Sequence, residues 1–318
     1  MTMRIYSSLD EVDEAPGRGR VVAIGVFDGV HRGHQRILSQ AVESARLTRS
    51  LAAAITFYPH PEAVLRPKSA PRMLTTLERK AELLESLGMD ELVVVRFDRE
   101  FARLSPESFC RLVLSRRLGA RLVLVGENFH FGHLGVGTAA DLREYGLTHD
   151  FEVRSVKLAE EEGETISSTR IRRLLQVGHV AEAARLLGRP HRIEGTVVSG
   201  VGRGRALDAP TANLIPTQEM ALPRLGVYVT RSLVDCKDVH LSVTSVGTNP
   251  TFEIDKKVRV ETLLLDYSSD MYGRHLAVDF LDRIRGQRTF PGAAALAVRI
   301  RRDVEIARAC AENSPYPS

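Results

Sequence analysis

Two histidines three residues apart are the first candidates for chemistry in this chain. His31 and His34 close the run Gly25-Val26-Phe27-Asp28-Gly29-Val30-His31-Arg32-Gly33-His34. An imidazole offers an N–H donor whether neutral or protonated. If Gly33 and His34 open a helix, both rings can face one anion, and the free N–H groups and positive dipole end of that helix add to the attraction. Gly29 and Gly33 let the backbone approach a ligand without a side chain in the way. Asp28-Gly29 is a strong turn signal, so Asp28 reads as a turn former rather than an acid catalyst. The run lacks both the Gly-Lys-Ser/Thr of a Walker loop and the Gly-x-Gly-x-x-Gly of dinucleotide binders. Gly25, Phe27, Asp28, Gly29, His31, Gly33 and His34 read together as a triphosphate-binding turn.

Other clusters follow along the chain. Tyr58-Pro59-His60-Pro61 is a stiff loop in which an aromatic ring and the His60 imidazole can flank a planar ligand, or simply make a rigid turn. In Gly126-Glu127-Asn128-Phe129-His130-Phe131-Gly132, Asn128 can read a hydrogen-bonding edge while Phe129 or Phe131 packs. Ser167, Ser168 and Arg170 stand at the start of a helical segment, where hydroxyls, free N–H groups and a guanidinium form a second anion site. Gly200, Gly202, Gly204 and Arg205 make a flexible basic loop fit to close over phosphates, and Thr211 and Asn213 beyond it are neutral oxygen ligands suited to Mg²⁺ already bound to phosphate. Glu261 shares a strand face with Leu263 and Leu265, which suits a partly desolvated general base for a hydroxyl.

These residues need a scaffold, and the hydrophobic pattern supplies one. Apolar runs at 21–24, 51–57, 92–97, 122–125 and 151–156 alternate with helical periodicity at 37–45, 76–87, 106–118 and 139–145, which predicts a parallel sheet covered on both faces. The first His turn then lies between the first of these strands and the first helix, and the other loops lie at carboxyl ends of strands, where open α/β sheets place ligands. Gly188-Arg189-Pro190-His191 breaks the helical pattern and divides the chain into 1–187 and 188–318. Past it, β-branched runs at 193–199, 226–232, 239–245, 258–265 and 275–281 without intervening helices predict a closed antiparallel barrel, with a terminal helix at 293–310.

A chain of 318 residues is comfortable for two domains, and 43% hydrophobic with 26% charged residues excludes disorder and fibres. A net charge of +4 fits anionic small ligands and is too weak to argue for nucleic acid; with aromatics at 6% and no Trp, a nucleic-acid-binding barrel face is not expected. Cys110, Cys236 and Cys310 are odd in number and far apart, which points to a reducing compartment and to neither a disulfide framework nor a zinc site. Residues 1–19 have no apolar core of a signal peptide, and no stretch has the apolar length to span a bilayer. The expectation is a cytoplasmic protein acting on small molecules, with no membrane or nucleic-acid partner and an oligomeric state that the sequence leaves open.

The His31-Arg32-Gly33-His34 element resembles the His-x-Gly-His signature of the nucleotidylyltransferase superfamily. Taken with Phe57-Tyr58-Pro59-His60-Pro61, Gly126 to Gly132, Ile166-Ser167-Ser168-Thr169-Arg170-Ile171-Arg172, Pro210-Thr211-Ala212-Asn213 and Val246-Gly247-Thr248-Asn249-Pro250-Thr251-Phe252, it makes the whole chain similar to the prokaryotic bifunctional riboflavin kinase and FMN adenylyltransferase family. The resemblance implies a Rossmann-like nucleotidylyltransferase domain that joins AMP from ATP to FMN, giving FAD and pyrophosphate. It also implies an antiparallel β-barrel kinase domain that phosphorylates riboflavin. It assigns ATP to His31, His34, Ser167, Ser168 and Arg170, flavin to His60, Asn128 and Phe129, Mg²⁺ and phosphate to Thr211 and Asn213, and the base to Glu261. The competing reading is an adenylyltransferase whose barrel binds flavin and phosphorylates weakly. Asp208-Ala209, standing where the family has Gly-Phe, raises it.

Overall fold

The computed structural model describes residues 2–13, 17, 19–198, 211–216, 219–235, 237–248 and 258–312, and divides into two compact units, Met1–Ser167 and Ser168–Ser318. The first unit is built on six parallel strands: β1 (Arg4–Tyr6), β2 (Arg20–Ile24), β3 (Leu51–Tyr58), β4 (Glu91–Arg96), β5 (Ala120–Gly126) and β6 (Glu152–Val156), in the spatial order β1-β4-β3-β2-β5-β6. The strands read as apolar runs because both faces are covered. Along β2, Val21 and Ala23 face one core with helices α1 (Arg32–Thr48) and α2 (Leu77–Ser86), while Val22 and Ile24 face the other. That second core takes α3 (Ala139–Thr148), started by a Thr138–Asp141 capping box, and the helical stretch after Pro106.

Two features depart from the sequence pattern. Strand β1 is only three residues long and pairs with β4, so no periodicity announces it. The helix expected over 106–118 is α-helical only at Pro106–Ser108 and continues as a π-helix over Phe109–Arg117, whose wider winding keeps Phe109, Cys110, Val113 and Leu114 on the core side.

From β2 the chain steps through β3 to β4 on one side of the sheet, then crosses to β5 and β6 on the other. The reversal lies between β2 and β5. Loops leaving adjacent strands in opposite directions open a crevice at their carboxyl ends, and the turn after β2 and the loop after β5 stand there.

The second unit begins with α4 (Ser168–Val177) and α5 (Val180–Leu187), so these helices group with the barrel, and the unit starts ahead of the Gly188 break. Its six strands are β7 (His191–Val198), β8 (Thr211–Leu214), β9 (Gly226–Val234), β10 (Asp238–Thr248), β11 (Val258–Leu264) and β12 (His275–Arg285). They form a closed antiparallel barrel in the order β7-β8-β11-β10-β9-β12, with β12 pairing back onto β7. Helix α6 (Ala293–Glu312) packs Val304 and Ala307 on Val227, Val229 and Val243. It is tied to β12 by buried Asp303, which accepts from Arg285 at 2.7 Å and is ion-paired with Arg299 of the same helix at 3.0 Å.

Candidate functional site

In the first unit β2 is buried along its length and leads into a turn bent by three left-handed residues, Phe27 at φ +49°, Gly29 at +81° and Val30 at +39°. Only glycine takes this conformation without cost, and for a β-branched residue it is a true outlier. Phe27 and Val30 are each 1% exposed, so the core holds their side chains and with them the bend. The bend delivers His31 to the N-cap of α1, where its Nδ1 accepts the His34 N–H at 3.4 Å. A ring nitrogen that accepts carries no proton, so in this arrangement the neutral His31 ring keeps its proton on Nε2. The His31 and His34 rings stack with centroids 3.6 Å apart and planes 21° apart, and His34 meets the Phe27 ring edge-on at 5.3 Å. Gly33 is what allows the stack, since a Cβ there would stand 3.1 Å from the His31 ring. A Cβ at Gly25 would stand 2.8 Å from the Phe27 ring.

Asp28 is 2% exposed and its carboxylate accepts the N–H groups of Leu74 at 2.9 Å and Thr75 at 3.3 Å. It therefore ties the turn to a distant segment instead of lining its open side. At the mouth, the first helical residue, Arg32, pairs with Glu161 at 2.7 Å.

Across the same edge, β3 ends in a cis Tyr58–Pro59 bond and His60, which caps the short helix Pro61–Leu65 through Nδ1. Asn128 is exposed in the loop after β5, beside Phe129, which stacks on buried Phe131 at 5.6 Å. Phe57, Phe97 and Phe101 continue the aromatic row at spacings of 5.8–6.0 Å. Sequence reading offered Phe129 or Phe131 as the packing ring and assigned flavin to Phe129, without Phe97 or Phe101. The missed signal is that Phe57 and Phe97 stand at or just past the carboxyl ends of β3 and β4. Ser167 closes the first unit, and the preceding Ile166 carbonyl comes 3.6 Å from where a Gly33 Cβ would be. Ser168 and Arg170 belong to α4 of the second unit.

In the barrel, strand register assembles the second cluster. Asn213 on β8 stands directly opposite Glu261 on β11, and Thr211 opposite Leu263. Ala212, Leu214, Val260, Thr262 and Leu264 alternate with them, each at most 2% exposed. Thr211, Asn213 and Glu261 therefore share the other face of two neighbouring strands. Glu261 is half-buried. Asn213 is 9% exposed, and its Oδ1 is a buried acceptor without a hydrogen-bond partner among the described residues. Gly200, Gly202, Gly204 and Arg205 lie outside the described residues, as do Asp208 and Ala209.

The sequence of residues 13–170 matches the FAD synthetase family model, and residues 187–311 match the riboflavin kinase family model. The bifunctional riboflavin kinase/FMN adenylyltransferase of Listeria monocytogenes is 36% identical over 93% of this chain and 94% of its own. The Escherichia coli protein of the same name is 35% identical over 96% of this chain and 97% of its own. This chain belongs to the bifunctional riboflavin kinase/FMN adenylyltransferase family. It is a transferase with both activities, taking riboflavin to FMN and FMN to FAD with ATP as co-substrate, and the single-activity reading gives way. A crystal structure described as a macrolide-efflux protein from Streptococcus pneumoniae shares the fold at TM-score 0.86 and 32% identity, covering 97% of this chain and 99% of that one. The efflux description stays with that protein. Among the described residues of this family member, no helix is long and apolar enough to cross a membrane.

For a kinase of this family, Mg²⁺ is the implied metal, and the residues present fit it. A hard cation takes neutral oxygen donors alongside phosphate, and Asn213 Oδ1, which has no hydrogen-bond partner among the described residues, supplies such donors with Thr211 two residues away.

Proposed function

We propose that the crevice between β2 and β5 is the adenylyl-transfer site and that the barrel face of Thr211, Asn213 and Glu261 is the phosphoryl-transfer site. The stacked His31–His34 pair at the topological switch point carries the reading, because it sets two imidazoles beside a helix N-terminus on the ligand edge of the sheet. An FMN phosphate oxygen attacks the α-phosphorus of ATP. A new P–O bond forms there as the bond to the bridging oxygen breaks, and pyrophosphate leaves with the electron pair. Catalysis is positioning plus neutralisation of the leaving charge by His31, His34 and the first N–H groups of α1. Ser167, Ser168 and Arg170 keep the role their motif gives them, as donors to phosphate. The row of Phe57, Phe97, Phe101 and Phe129 offers apolar faces to the flavin ring, with His60 and Asn128 at its polar rim.

In the barrel, Glu261 accepts the proton of the ribityl hydroxyl as that oxygen attacks the γ-phosphorus and ADP leaves. Thr211 and Asn213 would hold Mg²⁺ with the ATP phosphates, and when bound it supplies charge neutralisation on the transferring group. We set the functional boundary at 187/188, with the chain acting on small molecules in the cytoplasm.

The test is a chromatographic time course started from riboflavin or from FMN. With His34→Ala, riboflavin should stop at FMN, the second step being slowed about 10²- to 10³-fold. With Glu261→Gln, riboflavin should persist while added FMN still becomes FAD. Either variant slowing both steps equally would sink the assignment.

A further inference from the structure

Helix α2 carries a lysine where its amphipathic stripe calls for an apolar residue. Leu77, Lys80, Ala81 and Leu84 fall at i, i+3, i+4 and i+7, and Lys80 is 3% exposed. An ammonium is almost never fully buried unless it is paired. Lys80 Nζ donates to the Val26 carbonyl at 2.7 Å and to Thr56 Oγ1 at 3.1 Å, and the Thr56 hydroxyl donates to the same carbonyl at 2.9 Å. Just ahead of the same helix, the backbone N–H groups of Leu74 and Thr75 hold the Asp28 carboxylate, and Thr75 Oγ1 accepts the Gly29 N–H at 3.2 Å. Thr76 caps the helix that presents Lys80. Residues 74–80 thus grip the His turn on both sides of Phe27, at Val26 and at Asp28–Gly29.

We infer that Lys80 is a positioning residue for adenylyl transfer, a buried ammonium that holds the left-handed turn 26–31 in the form that stacks His31 on His34. A bend with Phe27 and Val30 in the left-handed region persists only where its surroundings over-determine it, and the Val26 carbonyl is where the bend leaves the sheet. Burial lowers the Lys80 pKa to about 8, opposed by the nearby Asp28 charge. The side chain is therefore held at a cost in solvation that a leucine would avoid.

The inference rests on the reading of the turn as the ATP site, so His34→Ala is run beside it. Lys80→Met should raise the KM for ATP in the FMN reaction by about tenfold with a smaller change in the KM for FMN. Lys80→Arg, which keeps donors and charge, should recover part of the loss. The riboflavin kinase rate should stay at the wild-type value, and hydrogen exchange at 20–24 and 120–126 reports that the first core is intact. A protected core with unchanged KM for ATP overturns the inference. If Lys80→Met loses that protection, Thr56→Val decides, with a smaller rise in the same KM expected and no rise overturning it. An unchanged His34→Ala enzyme would instead sink the reading of the turn itself.

Discussion

The two candidate sites are made by opposite means. His31 and His34 come together within one turn, through a bent backbone, a glycine between them and a helix start. Asn213 and Glu261 are far apart in the chain and meet because β8 and β11 pair in one register. A site within one segment keeps its spacing whatever the strand register, and it is sensitive to a side chain added at Gly33 and to the grip of residues 74–80 on its turn. A register-built site tolerates local substitution, yet a one-residue slip would turn every side chain of β8 to the other face. Sites of the first kind are written in motif spacing, and sites of the second kind in strand alternation and pairing.

Acid should separate the two most strongly. His191 opens β7, is buried, and its Nε2 donates to the Ala221 carbonyl oxygen 2.8 Å away, since a carbonyl only accepts. Burial pushes its pKa down to about 4. The unfolded chain, with an ordinary imidazole, takes up a proton first as pH falls through 6.5. The barrel therefore loses stability from pH 6.5 down to about 4, by about 3 kcal/mol in total. Incubating the protein across this range, and following riboflavin kinase and adenylyltransferase activities separately, should show the kinase failing at the higher pH. The reverse order would break the comparison.

Gly33→Val tests the sensitivity of the local site. A valine there would set its Cβ 3.1 Å from the His31 ring with two further methyls beyond it; the pair is expected to unstack, and FAD formation from FMN should fall about 100-fold while FMN formation from riboflavin is unchanged. The smallest expected effect is at the register-built site. Asn213→Ala removes one neutral oxygen and should raise the Mg²⁺ concentration needed for half-maximal kinase activity by about tenfold, leaving the adenylyltransferase response to Mg²⁺ as it was.

What the sequence made legible follows the same division. The His turn, the alternation of β2 to β6 with helices and the switch to short β-branched strands are all patterns within a window, and they predict the sheet and the barrel. Strand β1 is invisible because its three residues, paired with β4, are too few to show a period. The π-winding after Ser108 is a choice among helices with nearly the same apolar spacing. The opposition of Asn213 and Glu261 depends on a register that no single strand specifies. Lys80 lies between these cases: its position in the apolar stripe of α2 is readable, but what it holds is Val26, 54 residues away.

The first unit packs its two cores against the sheet, and the second packs its own under α6. Separate cores are expected to melt in separate transitions, which a calorimetric scan showing two steps would check. Warming should then silence one half-reaction before the other. The metabolite left behind then identifies the weaker half: riboflavin accumulates if the barrel yields first, and FMN accumulates if the sheet does.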